Sequence, residues 1–141
     1  MPGDKSITKR AILLGALAPG TTRILGMNPG ADAKAALGIV RSLGARVQAS
    51  KRDGILIRGG ELRESDRILD ARNSGTALRL ATGMLAAQPF LSILTGDASL
   101  RRRPVARVIE PLRALGADVC ARDGDRLPPV VVRGRPLQGA A

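Results

Sequence analysis

Three cationic side chains, Lys5, Lys9 and Arg10, fall within about one turn of the start of an apolar run. Ser6 is a good N-cap residue, and a helix N-terminus presents free backbone N–H groups. The stretch Pro2-Gly3-Asp4-Lys5-Ser6-Ile7-Thr8-Lys9-Arg10 therefore reads as a helix start suited to an anion. Arg10 follows Ser6 by four residues and shares its face of the helix. Charges so close repel unless something negative sits among them; a capped helix with solvated charges is the plain alternative. Asp70-Ala71-Arg72-Asn73-Ser74-Gly75-Thr76-Ala77-Leu78-Arg79 holds the same place before a second apolar run. There Asn73 or Ser74 can cap, and Gly75 lets a ligand approach the backbone closely. Thr95-Gly96-Asp97-Ala98-Ser99-Leu100-Arg101-Arg102-Arg103-Pro104 reads as a strand-to-helix loop that ends in three arginines, with Pro104 at the first helical position. Arginine ahead of a helix N-terminus opposes the dipole, and an anion between them would account for it. The common chemistry is oxyanion binding, because guanidinium forks match phosphate and carboxylate bidentately.

The elements that must position these residues repeat. Ser6, Thr8, Gly15, Leu17 and Ala18 align with Ser74, Thr76, Gly83, Leu85 and Ala86 at an offset of 68, and Leu43-Gly44-Ala45 with Leu115-Gly116-Ala117 at an offset of 72. Each copy predicts a nearly all-apolar, hence buried, helix (6–18 and 74–87), then a strand (22–25 and 90–94). An amphipathic helix follows, through Leu37, Val40 and Leu43 and again through Val105, Val108, Ile109, Leu112 and Leu115. Gly44 and Gly116 stand where left-handed caps are expected. Two strands close each copy (45–49 with 55–57, 117–121 with 130–132), with Asp53-Gly54 and Asp123-Gly124 as hairpin turns. The fold class is α/β, built of β-α-β-α-β-β units: 1–66 forms the first and 67–141 the second.

Composition narrows the function. The net charge is +11, and 19 of the 23 basic residues are Arg, which suits an anionic partner; an Arg-rich coding bias is the plain alternative. With no Trp, no Tyr and the one aromatic Phe90, the stacking platforms of single-strand nucleic-acid binders are missing. A basic nucleic-acid module would explain the charge but not the paired helix starts. Without His there is no His general base, and the single Cys120 excludes an internal disulfide. Cys120 reads as a small buried strand residue. No apolar run approaches a membrane span, and the first residues carry no signal-peptide pattern, so the expected location is the cytoplasm.

Gly3-Asp4-Lys5-Ser6-Ile7 with Arg10, Asn73-Ser74-Gly75-Thr76 with Arg79, and Gly96-Asp97 through Arg103-Pro104 with Ile109-Glu110-Pro111-Leu112 resemble three successive signatures of the enolpyruvyl transferase family, in its shikimate-pathway branch. The resemblance implies domains of three such units, helices inside and sheets outside. The implied reaction moves the enolpyruvyl group of phosphoenolpyruvate to the 5-hydroxyl of 3-phosphoshikimate, releasing phosphate and needing no metal or redox cofactor. On the matching positions, Lys5, Ser6 and Arg10 would hold 3-phosphoshikimate. Lys5, Asn73, Gly75, Thr76 and Arg103 would hold phosphoenolpyruvate. The family's proton-transfer residues lie beyond Ala141, so no catalytic residue is expected here: the chain reads as a fragment with half a site, inactive alone and prone to self-associate, of a monomeric parent. Thr8-Lys9 departs from the family, which commonly has Ser followed by His or Asn there. The sister branch acting on UDP-N-acetylglucosamine is the nearest rival, but it usually has Cys in the loop 96–100 and Asn where this chain has Ser6.

Overall fold

The computed structural model describes residues 3–50 and 54–139. In chain order the elements are α1 (Lys5–Leu17), β1 (Gly20–Ile24), α2 (Ala31–Ser42), β2 (Arg46–Ser50), β3 (Gly54–Gly59), β4 (Leu69–Asp70), α3 (Gly75–Ala86), β5 (Leu91–Thr95), α4 (Ala106–Ala114), β6 (Asp118–Ala121) and β7 (Leu127–Arg133). A 3-10 turn, Leu100–Arg102, precedes α4. The second copy is thus the expected β-α-β-α-β-β, while the first begins at its helix.

Each copy folds its strands into its own sheet. The first has the order β1-β3-β2, all antiparallel; the second runs β4-β5-β7-β6, parallel only between β4 and β5. The helices pack on one another, α1 against α2 and α3, and α3 against α4, with the sheets on their outer sides. Aliphatic residues fill most of the centre, with Thr82 buried among them. Ile12, Ile39, Val40 and Leu43 from the first copy join Leu78, Leu85, Leu94 and Ile109 from the second, all with 1% exposure or less.

The expected caps on α2 and α4 are present and alike. Gly44 has φ +97° and Gly116 +85°, conformations that cost an L residue about 1–2 kcal/mol. The N–H groups of Gly44 and Ala45 donate to the Arg41 and Val40 carbonyls, and those of Gly116 and Ala117 to Arg113 and Leu112. That pattern satisfies the last carbonyls of each helix. In the β6–β7 connection Asp123 and Gly124 are both left-handed, as a tight hairpin requires. Of the first hairpin signal, Asp53 lies outside the described residues; Gly54 has φ +71°.

Three expectations fail locally. The α1 cap is Asp4, not Ser6: its Oδ1 accepts from the Ser6 and Ile7 N–H groups at 2.8 Å each. A carboxylate complements the positive end of the helix better than a hydroxyl does, and it takes donors that would otherwise face an anion. Pro104 does not begin α4. Arg103 is extended, as the residue before a proline prefers, and the Val105 N–H goes to the Arg126 carbonyl, so the helix starts only at Ala106. Cys120 is exposed rather than buried, because β6 alternates and turns Val119 inward.

The two copies are tied by one carboxylate. Asp32, near the start of α2, pairs with Lys9 Nζ at 3.4 Å, and Lys9 is itself only 4% exposed. The Ser74 side chain caps α3 by accepting from the Ala77 N–H and also lies beside Asp32. The polar influence of the Ser74 hydroxyl, then the Lys9 and Lys5 charges, hold the Asp32 pKa below its ordinary 3.8 against the opposing effect of burial. Because the folded pKa is depressed, the contribution is present above the unfolded value and is lost as pH falls through the lowered one. Asp32→Asn leaves a buried ammonium without its anion. It is expected to cost about 1–3 kcal/mol in urea unfolding at neutral pH, with the difference from wild type shrinking in acid below about pH 4. A loss of the same size at every pH would show that the carboxylate's charge is not what ties the copies.

Candidate functional site

Asp32 lies close to the start of both apolar helices. Lys9 projects from the second turn of α1, and the Lys5 charge is felt at the same carboxylate that Ser74 contacts at the start of α3. Thr8, also buried, accepts the Asn28 N–H at 3.2 Å, and the Asn28 side chain donates to the Gly3 carbonyl. These bonds fix the segment ahead of α1 against the loop ahead of α2. Lys5, Ser6 and Arg10 are exposed at the helix start.

At the second helix start the expected residues form one network. Ser74 is the cap, which frees Asn73 for other work. Asn73 Nδ2 donates to Asp97 Oδ2 at 2.8 Å, and its Oδ1 accepts from Arg103 Nη2 at 2.7 Å. Arg103 also donates to the Asn73 carbonyl and to Ser99 Oγ, 3.3 Å each. The arginine ahead of α4 is therefore held by its neighbours, and no anion is needed to explain its position. Three of its five N–H groups are engaged, which leaves donors for a ligand. Gly75 and Thr76 lie in the first turn of α3, where backbone N–H groups have no intrahelical acceptor.

Sequence reasoning missed the supports. Asp97 caps the 3-10 turn by accepting the Leu100 N–H at 2.8 Å while it holds Asn73. The Leu100 and Asn73 bonds lower its pKa, with a smaller push from Arg103. Its place directly after strand β5 and Gly96 was a usable signal. Arg79 was quoted in the motif without a role. It is half-buried, with no hydrogen bond or ion pair among the described residues. Burial, then the Arg107 and Arg103 charges, lower its pKa below the usual arginine value. A Cβ on Gly75 would lie 3.3 Å from Arg79 Nη2, so the glycine makes room for that guanidinium over the first turn of α3. Asp32 had no sequence signal, since its partners come from other helices.

The arrangement is two adjoining helix starts with fixed cations, suited to two anionic groups held side by side. A family model described as EPSP synthase (3-phosphoshikimate 1-carboxyvinyltransferase) matches residues 1–141. A curated relative named 3-phosphoshikimate 1-carboxyvinyltransferase, from Anaeromyxobacter sp. (strain Fw109-5), is 59% identical over 140 residues, covering 99% of this chain and 33% of the relative. One of the same name from Chloroflexus aggregans is 50% identical over 143 residues, with the same coverage of each. The solved structure of EPSP synthase from Acinetobacter baumannii superimposes with a TM-score of 0.89 at 42% identity, over 94% of this chain and 31% of that one. The chain spans about a third of the length of the curated relatives it matches. It belongs to the EPSP synthase family.

Proposed function

We propose that this chain carries the first part of a site that transfers the enolpyruvyl group of phosphoenolpyruvate to the 5-hydroxyl of 3-phosphoshikimate. Lys5, Ser6 and Arg10 hold 3-phosphoshikimate. Asn73, Gly75, Thr76 and Arg103 hold phosphoenolpyruvate, and Lys5 reaches both. The observation that carries this reading is the meeting of the two helix starts at Asp32. Two polyanions repel, and fixed cations between them offset that cost while setting the distance for reaction. The groups that move protons are assigned to parts of the enzyme outside this chain. Small phosphorylated substrates and a single thiol are in keeping with a reducing, cytoplasmic setting.

A chimera that places this chain over the first third of the Anaeromyxobacter relative tests the assignment. It is expected to catalyse the transfer. In it, Arg103→Lys keeps the charge and loses the fork, so the KM for phosphoenolpyruvate should rise at least about tenfold, with that for 3-phosphoshikimate little changed. An inactive, folded chimera would sink the reading, and equal effects on both substrates would remove Arg103 from the phosphoenolpyruvate side.

We also propose that the chain by itself self-associates through the outer side of α1 and α3. Ile12, Leu13, Leu78 and Leu85 are buried by the two copies alone, so less of these helices is uncovered than their composition suggests. What remains is an apolar groove of about 300 Å³ between Leu13, Leu14, Leu17, Leu80 and Met84, with Arg10 at its edge. Leu14 is 63% exposed there. A second copy offers the same apolar face, and burying a side chain of this size gains about 1.5–3 kcal/mol. Sedimentation should show a concentration-dependent dimer that Leu14→Glu dissociates; a monomer at all concentrations would end this proposal.

A further inference from the structure

The far end of α1 carries a second concentration of unpaired positive charge. Thirteen residues of helix put it about 20 Å from the candidate site. Arg46 on β2 and Arg58 on β3 are direct register partners across the antiparallel pair, and both are exposed. Like charges directly opposite destabilise a sheet. Neither has a hydrogen bond or ion pair with any described residue. Other arginines also lack a side-chain partner among the described residues, Arg79 and Arg107 for example, but no other two arginines there are register partners across a sheet.

The pair stands between two clefts. One, of about 480 Å³, is walled by Arg46 and Arg58 and by the glycines 20, 44, 59 and 60. The other, of about 210 Å³, adds Thr21 and Gln48, with Thr21 in register with Arg58 on the next strand. The glycines contribute no side chain to fill the first cleft, and a Cβ on Gly20 would meet nothing within 4 Å. Glu61 supplies the one carboxylate among the lining residues. It makes no ion pair with either arginine among the described residues, and one negative charge would not offset two guanidiniums.

We propose that Arg46 and Arg58 form a binding site for the phosphate group of a small phosphorylated molecule, separate from the site at the helix starts. A phosphate dianion placed between the two guanidiniums accepts from both forks and removes the cross-strand repulsion. Thr21 and the open space at Gly20 give the rest of such a molecule room and polar contacts.

Inorganic pyrophosphate is the probe, titrated into the isotope-labelled chain at constant ionic strength while amide resonances are followed. The amides of Gly20, Gly44, Gly59 and Gly60 should move, with a midpoint distinct from that of any movement at Gly75 and Thr76. In Arg46→Gln/Arg58→Gln the first group should respond at least about tenfold more weakly, with the second group unchanged and the spectrum otherwise that of the folded chain. Arg58→Lys keeps the charge without the fork and should fall between. Glycine amides that do not move, or that move equally in the double variant, would overturn the proposal.

Discussion

A buried ammonium must have a counter-charge, and the Lys9–Asp32 pair is where this fold meets that demand. Lys9 sits on the inner side of α1 among aliphatic residues, where an unpaired charge would be expelled. The carboxylate that receives it comes from α2, and the same carboxylate lies beside the residue that caps α3. Three helices from two copies of a repeat are thereby fixed at one end. The apolar core alone would leave them freer to slide, since Ala, Leu, Ile and Val contacts carry little directional information. Register between the copies, and with it the spacing of Lys5 from Gly75 and Thr76, rests on that polar contact.

The large positive charge sorts itself once the partners of each arginine are known. Arg113, Arg122, Arg126 and Arg135 are spent on carboxylates and carbonyls that close turns; Arg122, for example, donates to the Pro128 and Arg101 carbonyls. Arg103 is held by Asn73 and Ser99 with donors to spare. Many others have no such partner among the described residues; of these, Arg79 is half-buried and Arg46 and Arg58 face each other across a strand pair. Total charge in an Arg-rich chain says little about function, whereas a guanidinium that the fold has positioned but not satisfied says more.

The parts legible in the sequence were those set by local chemistry. Apolar periodicity placed every helix and most strands within a few residues, and Gly44 and Gly116 marked both caps because only glycine takes that conformation cheaply. The readings that failed each turned on a choice between neighbours. Asp4 outcompeted Ser6 as a cap two residues earlier, so the equivalence of Ser6 and Ser74 holds in alignment but not in role. A short strand fixes which residues share a face but not which face is inward, so Cys120 was misread. Of the candidate site, the residues proposed to contact the anions come from motif and resemblance. Their supports could not be read that way, because Asp32 meets Lys9 across 23 positions and Ser74 across another helix, and no spacing rule covers such contacts.

If Asp32 couples the two helix starts into one binding surface, titrating the labelled chain with phosphoenolpyruvate will show it. The amides of Lys5 and Ser6 are expected to shift together with those of Asn73, Gly75 and Thr76 along a single binding curve. In Asp32→Asn the two groups should separate, with the α1 amides losing their response. An α1 response that never follows the α3 curve in the wild-type chain, or one that survives Asp32→Asn unchanged, would contradict it.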